Sequence, residues 1–515
     1  MHLAPLFVCS LVGTAAAAAP AVAPDGGDLV ERIDDETAAV PAPAPAVPPP
    51  AAGRAAPVSL TGWARSSLEV ALTRTGFRRD VLDPVGVAHD ALIVREQLYL
   101  RLRAARGRRL AAVISGALAW NVFEQDPDAR DGFNGFNGVA TTHAVDALLR
   151  EAYVGLFARR VDVWAGQQRV AWGRGDAFAP NDVVNARDLR DPLLGETELL
   201  QLPTPLVRGV VELPLGSLEL VAAPFVPDRF DTYGRNWARV QVDAPAAYRG
   251  LLGLATRLVD PSLHQLVQPL LGQTRIPADR AADATGGAHY GLSRGGFDVD
   301  LYYHYGFDRT PRLSFGPRFA EVARTMNLGD PAAWSALLGD LSSGLPFSAT
   351  YVRRHHAGAA LQTTSGPFVL RSEGAVDAPM VVVRRADLSG VLCPALQATL
   401  GVEYQTGELG KTITVEAWYQ RLVDAPPDGT LLGQDRDSAA VAALVRWIFF
   451  AHLEVELRAV AGLRPSSYTL RPQVGWRWRD LAVRVGAVLL GGEVGSLAHY
   501  YRRNQSVYSM LKYSF

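Results

Sequence analysis

Charged residues are concentrated in one segment of the chain, which runs from Trp172 to Leu189. Its glycines, Gly173 and Gly175, permit a tight reversal of the backbone. Charges of both signs in such a loop could set the width and the ion selectivity of an aqueous passage. They could instead brace the loop against a wall through Asx caps and salt bridges, and the sequence leaves both interpretations open. The charged candidates are Arg174, Asp176, Asp182, Arg187, Asp188 and Arg190.

Other patterns give little support to catalysis or to metal binding. His355 and His356 are adjacent, so on a strand they would point to opposite faces and could not chelate one metal together. The acidic run at 126–131 resembles a calcium loop, but Gly132 falls one place late and Arg130 takes a ligand position. We therefore predict no catalytic residue, no bound metal and no cofactor, and we expect that the protein is not an enzyme.

The strongest structural signal is the alternation of apolar and polar residues, which is typical of a strand with two different faces. It is clearest in Phe297–Phe307, Ile413–Leu422 and Leu453–Leu463, and it recurs in Leu396–Tyr404 and Leu98–Ala104. Each long run has about 10 residues, the length that a tilted strand needs to cross a bilayer. The pattern predicts membrane-spanning strands.

Short and long connections alternate between these runs, which is typical of an outer-membrane barrel. Eight turns and nine loops give 17 connections and therefore 18 strands, within a range of 16 to 18, and an even number returns both termini to the periplasm. We predict short turns at Arg106–Arg108, Arg159–Arg160, Pro214–Ser217, Gly295–Gly296, Thr363–Gly366, Thr406–Gly410, Phe450–His452 and Arg479–Asp480. We predict loops at 73–91, 123–146, 173–206, 225–286, 308–346, 374–389, 424–437, 464–467 and 491–505.

The polar residues of the alternating runs are expected to face the inside of the barrel. An 18-stranded barrel is wide enough for an aqueous channel unless a loop fills it. The predicted lumen-facing residues include Arg101, Asp298, Asp300, Glu416, Glu454, Glu456, Arg458, Arg477, Arg479 and Arg484. Aromatic girdles at the two membrane interfaces could come from Trp63, Trp120, Trp172, Trp476 and Trp478.

Three regions follow one another along the chain. Residues 1–24 have no charge after His2 and end in small residues, which predicts a cleaved signal peptide and export; a membrane anchor is the alternative. Residues 25–57 are acidic and then rich in Pro and Ala, which predicts an extended periplasmic linker. Residues 58–515 are expected to form the barrel. The net charge of −1 gives no electrostatic case for nucleic acid as a partner.

The C-terminal strand and the charged loop each resemble known outer-membrane patterns. Phe515 ends an alternating strand and resembles the signal that the barrel assembly machinery reads. The segment from Trp172 to Leu189 resembles W-G-x-x-D-x-F…P-x-D-V-x-N-x-x-D-L, which marks an uncharacterised family of Gram-negative outer-membrane proteins. The resemblance implies a barrel and an association with exporters of the resistance-nodulation-division type, and no established substrate.

Together these features predict an all-β, transmembrane, antiparallel barrel in the cell outer membrane, in contact with its lipids and lipopolysaccharide. The long extracellular loops should contain some helix, at 248–271 and 318–345. These helices would plug the barrel or line an entry site for an apolar substrate. The predicted function is a channel or transporter for small or apolar solutes, with loop 173–206 as a constriction. The alternatives are a docking barrel for a periplasmic exporter component or an outer-membrane hydrolase.

Overall fold

The computed structural model describes residues 58–72, 92–107, 109–121, 145–188, 197–228, 281–315, 347–386, 389–406 and 410–515. The expected signal peptide and linker, the two predicted helical stretches and the acidic run at 126–131 lie outside these residues, as does Arg190. Among the described residues no helix is long and apolar enough to cross a membrane.

The sequence forms eighteen antiparallel strands that close into one sheet. Closure is direct, because β1 pairs with β2 on one side (Val58 opposite Ala104) and with the last strand on the other (Trp63 opposite Ser514). The predicted antiparallel barrel of about 18 strands is confirmed. In chain order the strands β1 to β18 are Val58–Ala71, Leu92–Arg106, Leu110–Asn121, Val145–Phe157, Val161–Gln168, Thr204–Leu213, Gly216–Ala223, Thr285–Arg294, Phe297–Phe307, Arg353–Ser365, Phe368–Val383, Gly390–Gln405, Thr412–Leu422, Asp437–Phe449, Leu453–Arg464, Ser466–Trp478, Leu481–Gly492 and Ser506–Ser514.

Four shorter elements lie in the connections of the barrel. The hairpin Arg312–Phe315 with Phe347–Thr350 belongs to the loop between β9 and β10. A two-residue ladder pairs Ala186–Arg187 with Gln201–Leu202, directly after the short helix Thr197–Leu200. A second short helix, Leu497–Tyr500, lies between β17 and β18.

Short turns connect the strands at one end of the barrel and the longer loops at the other. The tightest turn uses Gly295 and Gly296, whose φ angles of 62° and 82° suit a type I′ hairpin. One expected loop, 374–389, is wrong: β11 continues to Val383, and only 384–389 connects it to β12. A bulge between Asp377 and Met380 accommodates Pro379, which has no N–H for the ladder, and pairing resumes beyond it.

The two faces of the wall differ in chemistry. On β13, Glu416 and Gln420 are buried on the inner face, whereas Val415 and Tyr419 are 44% and 43% exposed on the outer face. Alternation of this kind around a closed sheet places polar side chains inside and apolar ones outside.

Aromatic residues are common on the outer face near the short turns. Trp476 and Trp478 lie there beside the turn at 479–480, and both are exposed. Trp63 and Trp172 were expected in the same role, but both are buried inside the barrel. Trp63 has the strand parity of the inner face and stacks on Tyr99, with a ring-centroid distance of 5.8 Å. The side chain of Trp120 lies outside the described residues.

The apolar outer face predicts different tolerance to charge at adjacent residues of β12. Leu396 is 43% exposed on the outer face, whereas Gln397 faces inward and donates to Asp377 at 2.9 Å. Leu396→Lys should destabilise the bilayer-inserted protein by about 2 to 4 kcal/mol. Gln397→Lys, the matched control, should change the free energy of unfolding little because Asp377 accepts the new ammonium. Reversible unfolding in lipid vesicles measures both values, and equal costs at the two positions would contradict a lipid-facing exterior.

Candidate functional site

The connection between β5 and β6, residues 169–203, folds back into the barrel. The first of its two described parts, residues 169–188, is called the inner loop below. It makes contacts with inward-facing residues of β7, β9, β11, β13 and β15. In a closed barrel, a segment that touches the inner face of strands nearly half a circumference apart lies inside the lumen. The loop begins four residues earlier than expected because β5 ends at Gln168.

Trp172 turns the chain inward and anchors it to the wall. Its side chain is buried against Tyr302, at a ring-centroid distance of 5.7 Å, and its indole N–H donates to Glu219 at 3.2 Å. A cluster of buried apolar residues surrounds it, including Val170 from the loop and Val221 from the wall. The indole therefore combines apolar burial with a satisfied polar atom.

The two glycines allow the backbone to approach the wall closely. Gly173 has a φ of 90°, a conformation that L side chains rarely adopt, and a Cβ there would lie 3.1 Å from both carboxylate oxygens of Glu373. A Cβ on Gly175 would lie 2.1 Å from the carbonyl oxygen of Phe178. Both positions thus require glycine for the turn and for the contact with Glu373.

Glu373, on β11, accepts hydrogen bonds from both halves of the turn. The backbone N–H groups of Arg174 and Gly175 donate to Oε1. Oε2 accepts from the backbone N–H of Asn181 at 3.4 Å and from its side-chain amide at 2.8 Å. The carboxylate is buried, and these donors replace the water that it loses.

Glu416, on β13, holds the next three residues of the loop in the same way. Its carboxylate accepts from the backbone N–H groups of Asp176 at 2.6 Å, Ala177 at 2.7 Å and Phe178 at 3.0 Å. Successive backbone N–H groups that converge on one anion form a nest, here closed around a side chain of the protein itself. Phe178 then stacks on Trp418, at a ring-centroid distance of 5.9 Å.

A chain of ion pairs continues from Arg174 along the wall. Its Nε lies 2.7 Å from Asp300, which lies 2.8 Å from Nε2 of His289. His289 is in turn 3.5 Å from Glu219, whose carboxylate is held by Arg208 through two hydrogen bonds of 2.9 Å. Alternating signs compensate each buried charge along this chain.

Asp176 is the most accessible acidic group of the loop among these contacts. Its carboxylate lies 2.6 Å from Arg371, which also binds Glu403 at 2.6 Å, and the Asp176 side chain is 30% exposed. Burial raises the pKa of Asp176 to about 7, Arg371 opposes that shift, and Glu416 and Glu403 add to it. Asp176 therefore changes charge near neutral pH.

Asn181 and His356 fix the far side of the turn. His356 is fully buried on β10 and bonds to Asp377 at 2.9 Å and to the amide oxygen of Asn181 at 3.1 Å. A Cβ on Gly358 would lie 1.8 Å from that amide oxygen, so glycine leaves the space in which Asn181 sits. His356 and Asp377 resemble a catalytic pair, but both ring nitrogens are engaged and the ring has no access to a substrate.

The returning part of the loop is held by contacts within the same β5–β6 connection. Asn185 accepts from Val170 N–H at 2.6 Å and donates to the backbone carbonyl of Leu202 at 3.0 Å. Asp182 accepts from Gln201 at 2.8 Å and lies 3.8 Å from Arg187, and burial raises its pKa.

The structure therefore separates the predicted loop charges into two groups. Arg174 and Asp176 contact the wall, whereas Asp182, Arg187 and Asp188 lie in the returning part, where the backbone N–H of Asp188 donates to Leu200 at 2.6 Å. Asp176 contacts Arg371, whereas the predicted lumen arginines Arg477 and Arg484 lie near Glu454.

Nine of the ten predicted lumen residues lie on strands at inward-facing positions, whereas Arg479 lies outside the strands. It lies in the turn between β16 and β17 with a φ of 53°, exposed, and its guanidinium covers the ring of Trp478. The nine are Arg101, Asp298, Asp300, Glu416, Glu454, Glu456, Arg458, Arg477 and Arg484.

Sequence reasoning missed the part of the site on β10 and β11. Arg371, Glu373 and Asp377 alternate along β11 and share its inner face. That alternation was a usable signal, but the expected loop at 374–389 took Asp377 out of it, and Arg371 and Glu373 were not selected on the short strand that remained.

Glu416→Gln should loosen the inner loop without disrupting the barrel. The change keeps the shape of the side chain but removes its charge and replaces one acceptor oxygen with an NH2 donor. At least one of the three hydrogen bonds is therefore lost and the others become neutral, at a cost of about 1 kcal/mol each. Amide hydrogen exchange at residues 176–178 should accelerate by an amount equivalent to about 3 kcal/mol. Glu456→Gln is the control, because Glu456 is an inward, buried acid that binds arginines rather than loop amides. Unchanged exchange in Glu416→Gln would contradict the anchoring role.

Comparison with solved structures finds β-barrel porins at low similarity. A substituted porin of Rh. blastica is 11% identical, with 89% of this chain and 100% of that chain covered, at a TM-score of 0.35. OccAB2 of Acinetobacter baumannii is 9% identical, with 89% and 98% covered, at a TM-score of 0.47. Likeness at this level indicates nothing about the solute of this chain.

Comparison with curated proteins gives no significant match. Residues 110–480 match the family model described as "Protein of unknown function (DUF1302)". The match covers β3 to β16 and includes the whole inner loop. Because it spans more than two thirds of the sequence, this chain belongs to the DUF1302 family.

Proposed function

We propose that the protein is an outer-membrane channel whose lumen is narrowed by the inner loop. The observation that carries the proposal is the position of that loop, fixed by Glu373 and Glu416 on the inner face of a closed 18-stranded barrel. A barrel of this strand number encloses an aqueous channel unless something occupies it. The loop is held by charge-assisted hydrogen bonds, which suit a fixed constriction.

The outer face and the termini support a location in the outer membrane. The exterior is apolar, with residues such as Leu400 and Leu301 more than half exposed, which suits contact with hydrocarbon. The expected signal peptide at 1–24 would export the chain. Both ends of the barrel domain, Val58 and Phe515, lie at the short-turn end, which would face the periplasm.

The charges on the inner loop would make the constriction select between ions in addition to narrowing the lumen. The charge of Arg174 is compensated by Asp300, while Asp176 and Arg371 meet where the Asp176 side chain is still partly accessible. An ion that passes this point would encounter one partly exposed carboxylate beside a guanidinium. Fixed charges at a constriction bias the ions that pass.

Deletion of residues 177–188 should raise the single-channel conductance in planar bilayers, because it removes chain from the lumen. Deletion of 427–430, exposed residues of the loop at 423–436, is the matched control and should leave the conductance unchanged. Circular dichroism establishes that each variant keeps its strands. An assembled 177–188 deletion with wild-type conductance would overturn the constriction and leave the loop a bracing role.

Asp176 should make the ion preference depend on pH in a defined window. Because its pKa is about 7, Asp176 takes up a proton as the pH falls from about 8 to about 6. The lumen beside Arg371, Glu403 and Glu416 then gains one net positive charge, so the preference for anions should rise. Reversal potentials in a KCl gradient measure this change. Asp176→Asn should show the low-pH preference throughout, and an unaltered pH response in that variant would contradict the assignment.

A further inference from the structure

The wall that carries β16 to β18 and β1 to β3 is strongly basic on its inner face. By strand register, the described inward positions of these six strands hold eight basic residues and one acidic residue, Glu69. We call this surface the basic wall. The inner-loop contacts described above run from β7 to β15. The loop also meets the edge of the basic wall at Glu151 of β4, which lies 3.9 Å from Arg169 of the loop and 3.6 Å from Arg101 of the basic wall.

Five arginines form a compact group where the basic wall adjoins the inner loop. Arg446, Arg458, Arg471, Arg477 and Arg484 project inward from β14 to β17, and we call them the arginine cluster. On these strands the only inward acids among the described residues are Glu454 and Glu456. The cluster thus has more positive than negative charge within its own strands.

The two glutamates lie behind the arginines rather than in front of them. Their side chains are 7% and 5% exposed, whereas those of Arg484 and Arg477 are 21% and 38% exposed. Glu454 lies 2.8 Å from Arg446, 3.6 Å from Arg484 and 3.8 Å from Arg477. The carboxylates orient the guanidinium groups and leave the accessible surface cationic.

Two features of the cluster do not favour a purely structural role. Arg458 and Arg471 occupy directly opposed positions on β15 and β16, where like charges destabilise a sheet, and they share the single carboxylate of Glu456 as a partner. Within the described part of the chain, the buried Nε of Arg484 has no hydrogen-bond acceptor. A guanidinium presents five N–H donors in a planar fork that matches the oxygens of a carboxylate or phosphate. An anion in the lumen would satisfy the donors and offset the repulsion.

The cluster begins where the loop contacts end. Val460 of β15 packs against the cluster that Ala177 and Phe178 of the inner loop form with Ala440 and Ala442 of β14. Arg458 follows two residues away on the same face, toward the short-turn end. A solute that moves past the loop in that direction would meet the arginines next. Such a solute would therefore pass the constriction first and the cationic surface second.

We infer that this lumen conducts solutes bearing carboxylate or phosphate groups, drawn along the basic wall and bound transiently by the arginine cluster. The inference rests on the proposed channel function and names its substrate class. Like-signed charges lining a confined passage raise the local concentration of the opposite ion. Guanidinium groups add geometric preference for oxyanions over halide of equal charge.

The test uses the full chain reconstituted in lipid. Reversal potentials in a KCl gradient report the chloride-to-potassium permeability ratio, and liposome swelling compares gluconate with glucose, an anion and a neutral solute of similar size. The wild type should favour chloride, and gluconate should enter faster than glucose. Arg477→Gln with Arg484→Gln should lower both ratios at least about twofold. This pair leaves Arg446 beside Glu454, so the buried acid keeps its nearest partner.

Arg421→Gln is the matched control, since Arg421 has the outward parity on β13 and its side chain is 55% exposed. It should leave both ratios unchanged. A conducting wild type that prefers potassium, or a double variant that behaves like the control, would overturn the oxyanion inference while the channel function stands. If neither ions nor solutes cross the membrane, the channel function fails and the inference fails with it. If the double variant does not assemble, the wild-type ratios alone decide, because preference for potassium and for glucose would each contradict the inference.

Discussion

Two buried carboxylates determine where the interior of this barrel is filled. Glu373 and Glu416 stand two strands apart on the inner face, and each needs several donors to offset the water that it has lost. The donors are backbone N–H groups of one turn, which themselves would be costly to bury unpaired. Each partner therefore satisfies the other. The geometry of the turn, its glycines and the Asn181–His356 contact all follow from this mutual requirement.

The lumen has two parts that differ in the balance of positive and negative side chains. Around the inner loop, positive and negative groups are matched nearly one for one, as in the chain from Arg174 through Asp300 and His289 to Glu219. On the basic wall the signs are unequal. An oxyanion bound at the arginine cluster would add negative charge to this part of the lumen.

Most of the fold followed from the sequence because strand alternation and turn spacing are local properties. Phe297–Phe307 was predicted to the residue, and alternation within their own strands placed Asp300, Glu416 and Glu456 on the inner face. The failures have physical causes. A loop was expected at 374–389, yet a bulge carries β11 past Pro379, so Asp377 lies on a strand rather than in a loop. Arg479 kept the parity of Arg477 but left the strand. The partners of Asp176 could not be foreseen, since they depend on where a loop docks in three dimensions.

The residues that meet in the inner-loop site are far apart in the sequence, and this distance affects the order in which the barrel assembles. The turn that binds Glu416 lies 240 residues before it, and the barrel closes only when β18 meets β1. Contacts between such distant residues form late, because the entropy of the intervening chain must be lost first. We therefore expect assembly to pass through a stage in which much of the wall exists and the turn is still hydrated. The inner loop would then be the last part of the barrel to become ordered, after the strands of the wall have closed.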